Sequence, residues 1–169
     1  MRFVTIVGNP RPQSRTLTVA RQAAGAISET AGLDGPGQVI DLSGLARWLL
    51  LPGPSPAVED ALELAMGADL LLVASPIYKG TYTGLLKVFL DRLPNQALAG
   101  TVAFPLLVMR LPQHALAVEV HLRPLLVELG ATVPTPGLVV LEPDLGRLDE
   151  VLLPWAVRVA GDLREVAAA

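Results

Sequence analysis

Phe3-Val4-Thr5-Ile6-Val7, followed at once by Gly8-Asn9-Pro10-Arg11-Pro12-Gln13-Ser14-Arg15-Thr16, is the stretch from which the rest of the chain is read. The first five residues are rich in strand formers and spell a buried strand. Glycine, asparagine and two prolines cannot continue it, so the chain turns. Beyond the turn, Leu17, Val19, Ala20, Ala23, Ala24 and Ile27 follow the three-to-four spacing of one apolar helix face.

The same alternation runs on along the chain. Apolar runs fall at 3–7, 38–42, 70–74, 102–108 and 138–141, and helical patterns near 14–31, 57–67, 83–93, 113–129 and 147–166. Near-continuous hydrophobicity is what strands covered on both faces show. Gly32 and Gly130 stand where helices end and glycine takes a positive φ at no steric cost. Five strands joined by right-handed helical crossovers predict an α/β, doubly wound parallel sheet of order 2-1-3-4-5. The competing dinucleotide-binding order lacks its fingerprint, since no Gly-x-Gly-x-x-Gly follows the first strand. Leu51-Pro52-Gly53-Pro54-Ser55-Pro56 reads as a stiff loop, because the alternation continues past it, and 1–169 reads as a single domain.

Composition narrows the function. A chain of 169 residues, 51% hydrophobic and only 17% charged, has a thinly charged surface, as expected if an apolar face is reserved for a partner subunit. The net charge of -3 leaves no basic stripe for nucleic acid. With no cysteine, disulfides, thiolate metal sites and cysteine nucleophiles are excluded. No apolar run approaches the roughly 20 residues of a membrane helix, and no signal-like segment opens the chain, so the expected location is the cytoplasm.

Open α/β sheets bind ligands along their carboxyl edge, where both informative loops lie. In the first, Ser14 is placed to cap a helix whose free N–H groups attract an anion. Ser14 and Thr16 bring hydroxyls, and Arg11 and Arg15 bring guanidinium forks suited to phosphate. A capped helix with two solvated arginines is the plainer account. Four anion-suited side chains beside Gly8 favour phosphate binding. The loop lacks the Gly-Lys-Ser/Thr ending of nucleotide triphosphatases. The second loop, Ser75-Pro76-Ile77-Tyr78-Lys79-Gly80-Thr81-Tyr82-Thr83-Gly84, follows strand three. Its fixed backbone, apolar Ile77 and both tyrosines of the chain suit a flat heteroaromatic ligand, with Lys79 either a simple surface charge or near the ring or its phosphate. Packing at a subunit contact is the other reading for Tyr82.

Together these residues resemble the NAD(P)H-dependent FMN reductases of the flavodoxin-like superfamily, and within it the small reductases that supply sulfonate monooxygenases. The resemblance rests on residues 8–16, on Ala-Ser-Pro-Ile-Tyr-Lys-Gly-Thr-Tyr-Thr-Gly-Leu-Leu-Lys (74–87), on Phe-Leu-Asp-Arg-Leu-Pro (89–94), and on 97–102 and 122–131. It implies that Asn9, Arg11, Ser14, Arg15 and Thr16 hold the FMN phosphate, while Pro76, Ile77, Tyr78, Lys79 and Gly80 line the ring. It implies hydride transfer from a nicotinamide with no catalytic side chain and no metal, in a homodimer or homotetramer serving an FMNH2-dependent monooxygenase. On that reading Leu86 and Phe89, in the 83–93 helix, supply subunit contacts. A tightly FMN-bound quinone or azo-type reductase, or a flavin binder with reduced turnover, are the alternatives.

The chain departs from that pattern after strand four. Relatives carry a glycine pair there, and this chain has Met109-Arg110-Leu111-Pro112. Arg110 is therefore expected to meet the electron-rich N1–O2 edge of the flavin in place of backbone, the alternative being that these side chains fill the space and flavin binds poorly. Val120 stands where some relatives have tyrosine. His114 and His121 are seven apart, too far for a helical metal pair, and read as surface residues on one helix, with Trp48 in a loop and Trp155 in the last helix.

Overall fold

The computed structural model describes residues 1–168. Five parallel strands, β1 (Phe3–Val7), β2 (Gln38–Asp41), β3 (Leu70–Pro76), β4 (Val102–Met109) and β5 (Leu138–Leu141), form one sheet of order β2-β1-β3-β4-β5. This is the predicted flavodoxin-like order, with its switch point between β1 and β3. Helices α1 (Arg15–Ala31) and α6 (Leu148–Ala168) pack together on one face. Helices α2 (Ala46–Leu49), α3 (Pro56–Met66), α4 (Gly84–Leu90) and α5 (Arg123–Glu128) cover the other.

Side chains alternate between the two layers as the pleat requires. Val4 and Ile6 of β1, Leu71 and Val73 of β3, and Ala103 and Leu107 of β4 enter the α3–α5 layer. Phe3 and Val7, Leu70 and Leu72, and Phe104 and Leu106 enter the α1/α6 layer. There Trp155 meets Phe104 edge-on at 6.3 Å and donates its indole N–H to the Pro136 carbonyl at 2.9 Å. Pro105 lies inside β4, where proline normally breaks a ladder. Strand β5 pairs with β4 only from Leu106 onward, so Pro105 interrupts no bonding on that side.

The sequence marks helix ends better than helix interiors. Ser14 caps α1 by accepting from the Leu17 N–H at 3.1 Å, and Gly32 ends it at φ 68° with its N–H on the Ser28 carbonyl. The expected 113–129 helix is instead three pieces: a 3-10 turn at Pro112–His114, a π turn at Val118–Leu122, and α5. Pro124 supplies the reason. It has no N–H to give back, its ring crowds the preceding turn, and the Arg123 N–H reaches one residue further, to the Val118 carbonyl. The histidines accordingly sit on different pieces. Helix α4 stops at Leu90, short of 93, and β3 runs on through Pro76. Trp48 belongs to the short α2, with Arg47 stacked over its ring at 4.3 Å.

One polar network anchors the π turn. Glu119 accepts from Arg123 and from the Gly137 N–H (2.6 Å), while Arg123 also reaches the Val133 and Thr135 carbonyls. The Arg123 hydrogen bond, aided by Gly137, outweighs partial burial and holds the Glu119 carboxyl below its ordinary pKa. A carboxylate depressed on folding adds stability that is present above its unfolded pKa and is lost as pH falls through its folded value. Glu119 is 36% exposed, so solvent screens the gain. Glu119→Gln is expected to destabilise the fold by about 1–2 kcal/mol at neutral pH, with the two proteins converging below about pH 4 in thermal melts.

Candidate active site at the switch point

The two loops are bound to each other at the carboxyl edge before any ligand is considered. The Gly8 N–H continues the ladder to the Ala74 carbonyl at 2.8 Å. The Thr83 hydroxyl donates to the Gly8 carbonyl and accepts the Leu86 N–H at 3.2 Å, capping α4. The Thr83 N–H donates to Ser75 Oγ at 3.0 Å. A Cβ on Gly8 would lie 2.6 Å from the Leu86 Cβ, so only glycine lets α4 approach this closely. Leu86 and Phe89 are fully buried in this protomer's own core. The expectation that they make subunit contacts is therefore overturned, because the apolar face of α4 is consumed by the sheet. Asp91 pairs with Lys87 on the same helix.

In the first loop the buried Asn9 is a staple. Its amide donates to Thr16 Oγ1 at 3.0 Å, and its Oδ1 accepts the Arg11 N–H at 3.0 Å. Ser14 Oγ and Thr16 Oγ1 both act as acceptors, which leaves each hydroxyl proton free to donate outward. The first-turn N–H groups of Arg15 and Thr16 have no partner among the described residues. Unpaired donors at a helix N-terminus, beside two guanidiniums, fit a phosphate.

The second loop is equally ordered. The Ile77 N–H donates to the Val108 carbonyl at 3.0 Å, fixing the exit from β3. Tyr78 and Thr81 exchange backbone bonds around Lys79 (φ 53°) and Gly80 (φ 89°), the two positive φ values of a type I′ turn. His121 Nδ1 stands 3.0 Å from Thr81 Oγ1, joining the π turn to this loop.

Between the loops lie two adjoining clefts of about 380 and 360 Å³, within the size range of small-molecule sites. Asn9, Arg11, Ser14, Arg15, Thr16, Pro76 and Tyr78 line the first, Lys79 and Gly80 the second, and Ile77 and Arg110 both. All eleven residues singled out from sequence thus converge on one edge of the sheet. Met109 is buried as the last residue of β4 and floors both clefts, while the exposed Arg110 stands at their junction. Arg11, Lys79 and Arg110 form no ion pair among the described residues.

A family model described as NADPH-dependent FMN reductase matches residues 1–145. The chain belongs to that family. It is 38% identical over 133 residues to an FMN reductase (NADPH) of Escherichia coli (strain K12), covering 78% of this chain and 68% of that one. An FMN reductase (NADPH) of Pseudomonas aeruginosa is 31% identical over 162 residues, covering 94% and 86%. The solved apo form of an NADH:FMN oxidoreductase superposes with a TM-score of 0.78 at 32% identity, covering 93% and 89%.

Sequence reasoning missed Glu142 and His114, which line the first and second clefts. Glu142 follows the predicted end of strand five directly, so its place on the ligand edge was available, but its pairing was not. The placing of the two loops depends on the Gly8 contact. Gly8→Ala is expected to lower Tm by roughly 3–10 °C and to impair flavin binding. Gly84→Ala, which meets open space, leaves both unchanged or slightly improved in the same melts and titrations.

Proposed function

We infer that this chain is an NAD(P)H-dependent FMN reductase whose eleven edge residues form the flavin site, a reading carried by the convergence of two unpaired N–H donors, two hydroxyls and two arginines at the start of α1. FMN held here would supply the ring that accepts hydride from a reduced nicotinamide. The protein's part is to bind and orient. The α1 N-terminus with Ser14, Thr16, Arg11 and Arg15 takes the phosphate, and Asn9 holds that loop in shape. Pro76, Ile77, Tyr78 and Gly80 present a rigid wall to the ring, with Lys79 at its rim. Arg110 supplies positive charge where the flavin becomes electron-rich on reduction, replacing backbone donors with a guanidinium. No side-chain acid, base or metal is needed.

We further propose that 1–169 acts as one domain in the cytoplasm and passes reduced FMN to a monooxygenase. No helix among the described residues is long and apolar enough to cross a membrane. The open, solvent-facing phosphate loop supports exchange. A preparation that keeps stoichiometric FMN through desalting would instead favour the tightly bound quinone or azo-type reductase. A homodimer or homotetramer is supported by three exposed apolar side chains, Leu116 in the turn before the π turn, Val120 on the π turn and Val127 on α5. Val120→Glu together with Val127→Glu is expected to reduce the sedimenting mass and leave the fold intact. A wild-type chain that sediments as a monomer at micromolar concentration would sink the oligomer.

Steady-state NAD(P)H oxidation separates the two arginine roles. Arg15→Ala is expected to raise KM for FMN by roughly 10- to 100-fold, as loss of a charge-assisted phosphate contact requires. Arg110→Ala is expected to lower kcat with a smaller effect on binding of oxidised FMN. Tighter binding with faster turnover in Arg110→Ala would show that this side chain obstructs the site.

A further inference from the structure

The first cleft contains one acidic residue among those that line it, Glu142, and that carboxylate is spent on the phosphate arginine. Glu142 Oε2 lies 3.1 Å from Arg15 Nη1. The pair joins opposite ends of the chain: Arg15 opens α1, and Glu142 opens the 3-10 turn Glu142–Arg147 at the carboxyl end of β5. Both side chains are well hydrated, 67% and 40% exposed, so the pair forms and breaks at little cost. Arg11 and Arg110, on the same cleft, have no such partner among the described residues. A carboxylate held at the mouth of a site for a phosphate dianion works against the ligand twice. It occupies donors that the phosphate needs, and it repels the phosphate by like charge.

We propose that Glu142 competes with the FMN phosphate for Arg15 and so sets how readily the flavin leaves. This rests on the reading of the 8–16 loop as the phosphate site. The guanidinium has enough donors to be handed between the two anions, so Glu142 stands in for the phosphate when the site is empty and shortens the stay of FMN when it is full. The residue tunes exchange without touching the ring.

The test is Glu142→Gln, alone and combined with Arg15→Ala, with FMN and riboflavin affinities read by flavin fluorescence and FMN release by stopped flow. Glu142→Gln is expected to tighten FMN by about three- to tenfold through slower release, to change riboflavin by less than about twofold, and to lose its effect when Arg15 is absent. Weaker FMN binding would mean that Glu142 aligns Arg15 for the phosphate, which overturns the proposal. So would equal changes for both flavins, or a gain that persists without Arg15. A wild-type chain that binds riboflavin as well as FMN refutes the phosphate site itself, and is told apart by Arg15→Ala having no effect on either ligand.

Discussion

The contact between Gly8 and Leu86 is the constraint on which the site depends. Strand β1 and helix α4 meet with no room for a Cβ, and the Thr83 hydroxyl locks the same point by donating to the Gly8 carbonyl. Everything at the carboxyl edge is then placed relative to one fixed junction. The 8–16 loop leaves it from Gly8, the 75–84 loop enters it at Ser75, and both face the same opening. A parallel sheet leaves such an opening at its switch point as a matter of topology. What this chain adds is a way to hold both lips of the opening at a set separation without help from a ligand.

Charge is distributed on that frame unevenly. The chain is acidic overall, yet the clefts are lined by Arg11, Arg15, Lys79 and Arg110 against a single carboxylate. A phosphate and a ring that gains electrons both suit such a concentration of positive charge. The polar side chains that look like ligand contacts divide their work. Asn9 spends its amide on the loop itself, Ser14 and Thr16 accept within the protein and keep a proton to donate, and Arg11, Arg15 and Arg110 stay exposed at the cleft.

Much of this was legible in the sequence because the determining signals are local. Strands buried on both faces must be apolar almost throughout, so 70–74 and 102–108 were visible as runs. Ser14 and Gly32 mark the ends of α1 by cap chemistry that needs no tertiary partner. The residues lining the clefts were legible as neighbours because they sit in turns where Pro, Gly and Asn already break the pattern. What escaped detection depends on partners distant along the chain. The direction of Leu86 and Phe89 follows from the approach of β1, which no periodicity records. The π turn follows from Pro124 acting on residues whose own propensities are helical, supported by Gly137 from a later loop. Glu142 carries no local signal, and only the sheet brings it to Arg15.

The type I′ turn at Lys79-Gly80 has a consequence for the thermodynamics of exchange. Its backbone is closed by its own hydrogen bonds and anchored to β4 through Ile77, so this wall of the cleft loses little conformational entropy if a ligand arrives. A wall that is ordered before any ligand arrives needs little rearrangement to receive one. The less of the exchange that falls to moving this wall, the more of it falls to individual contacts, which leaves single exposed side chains able to tune how long a ligand stays.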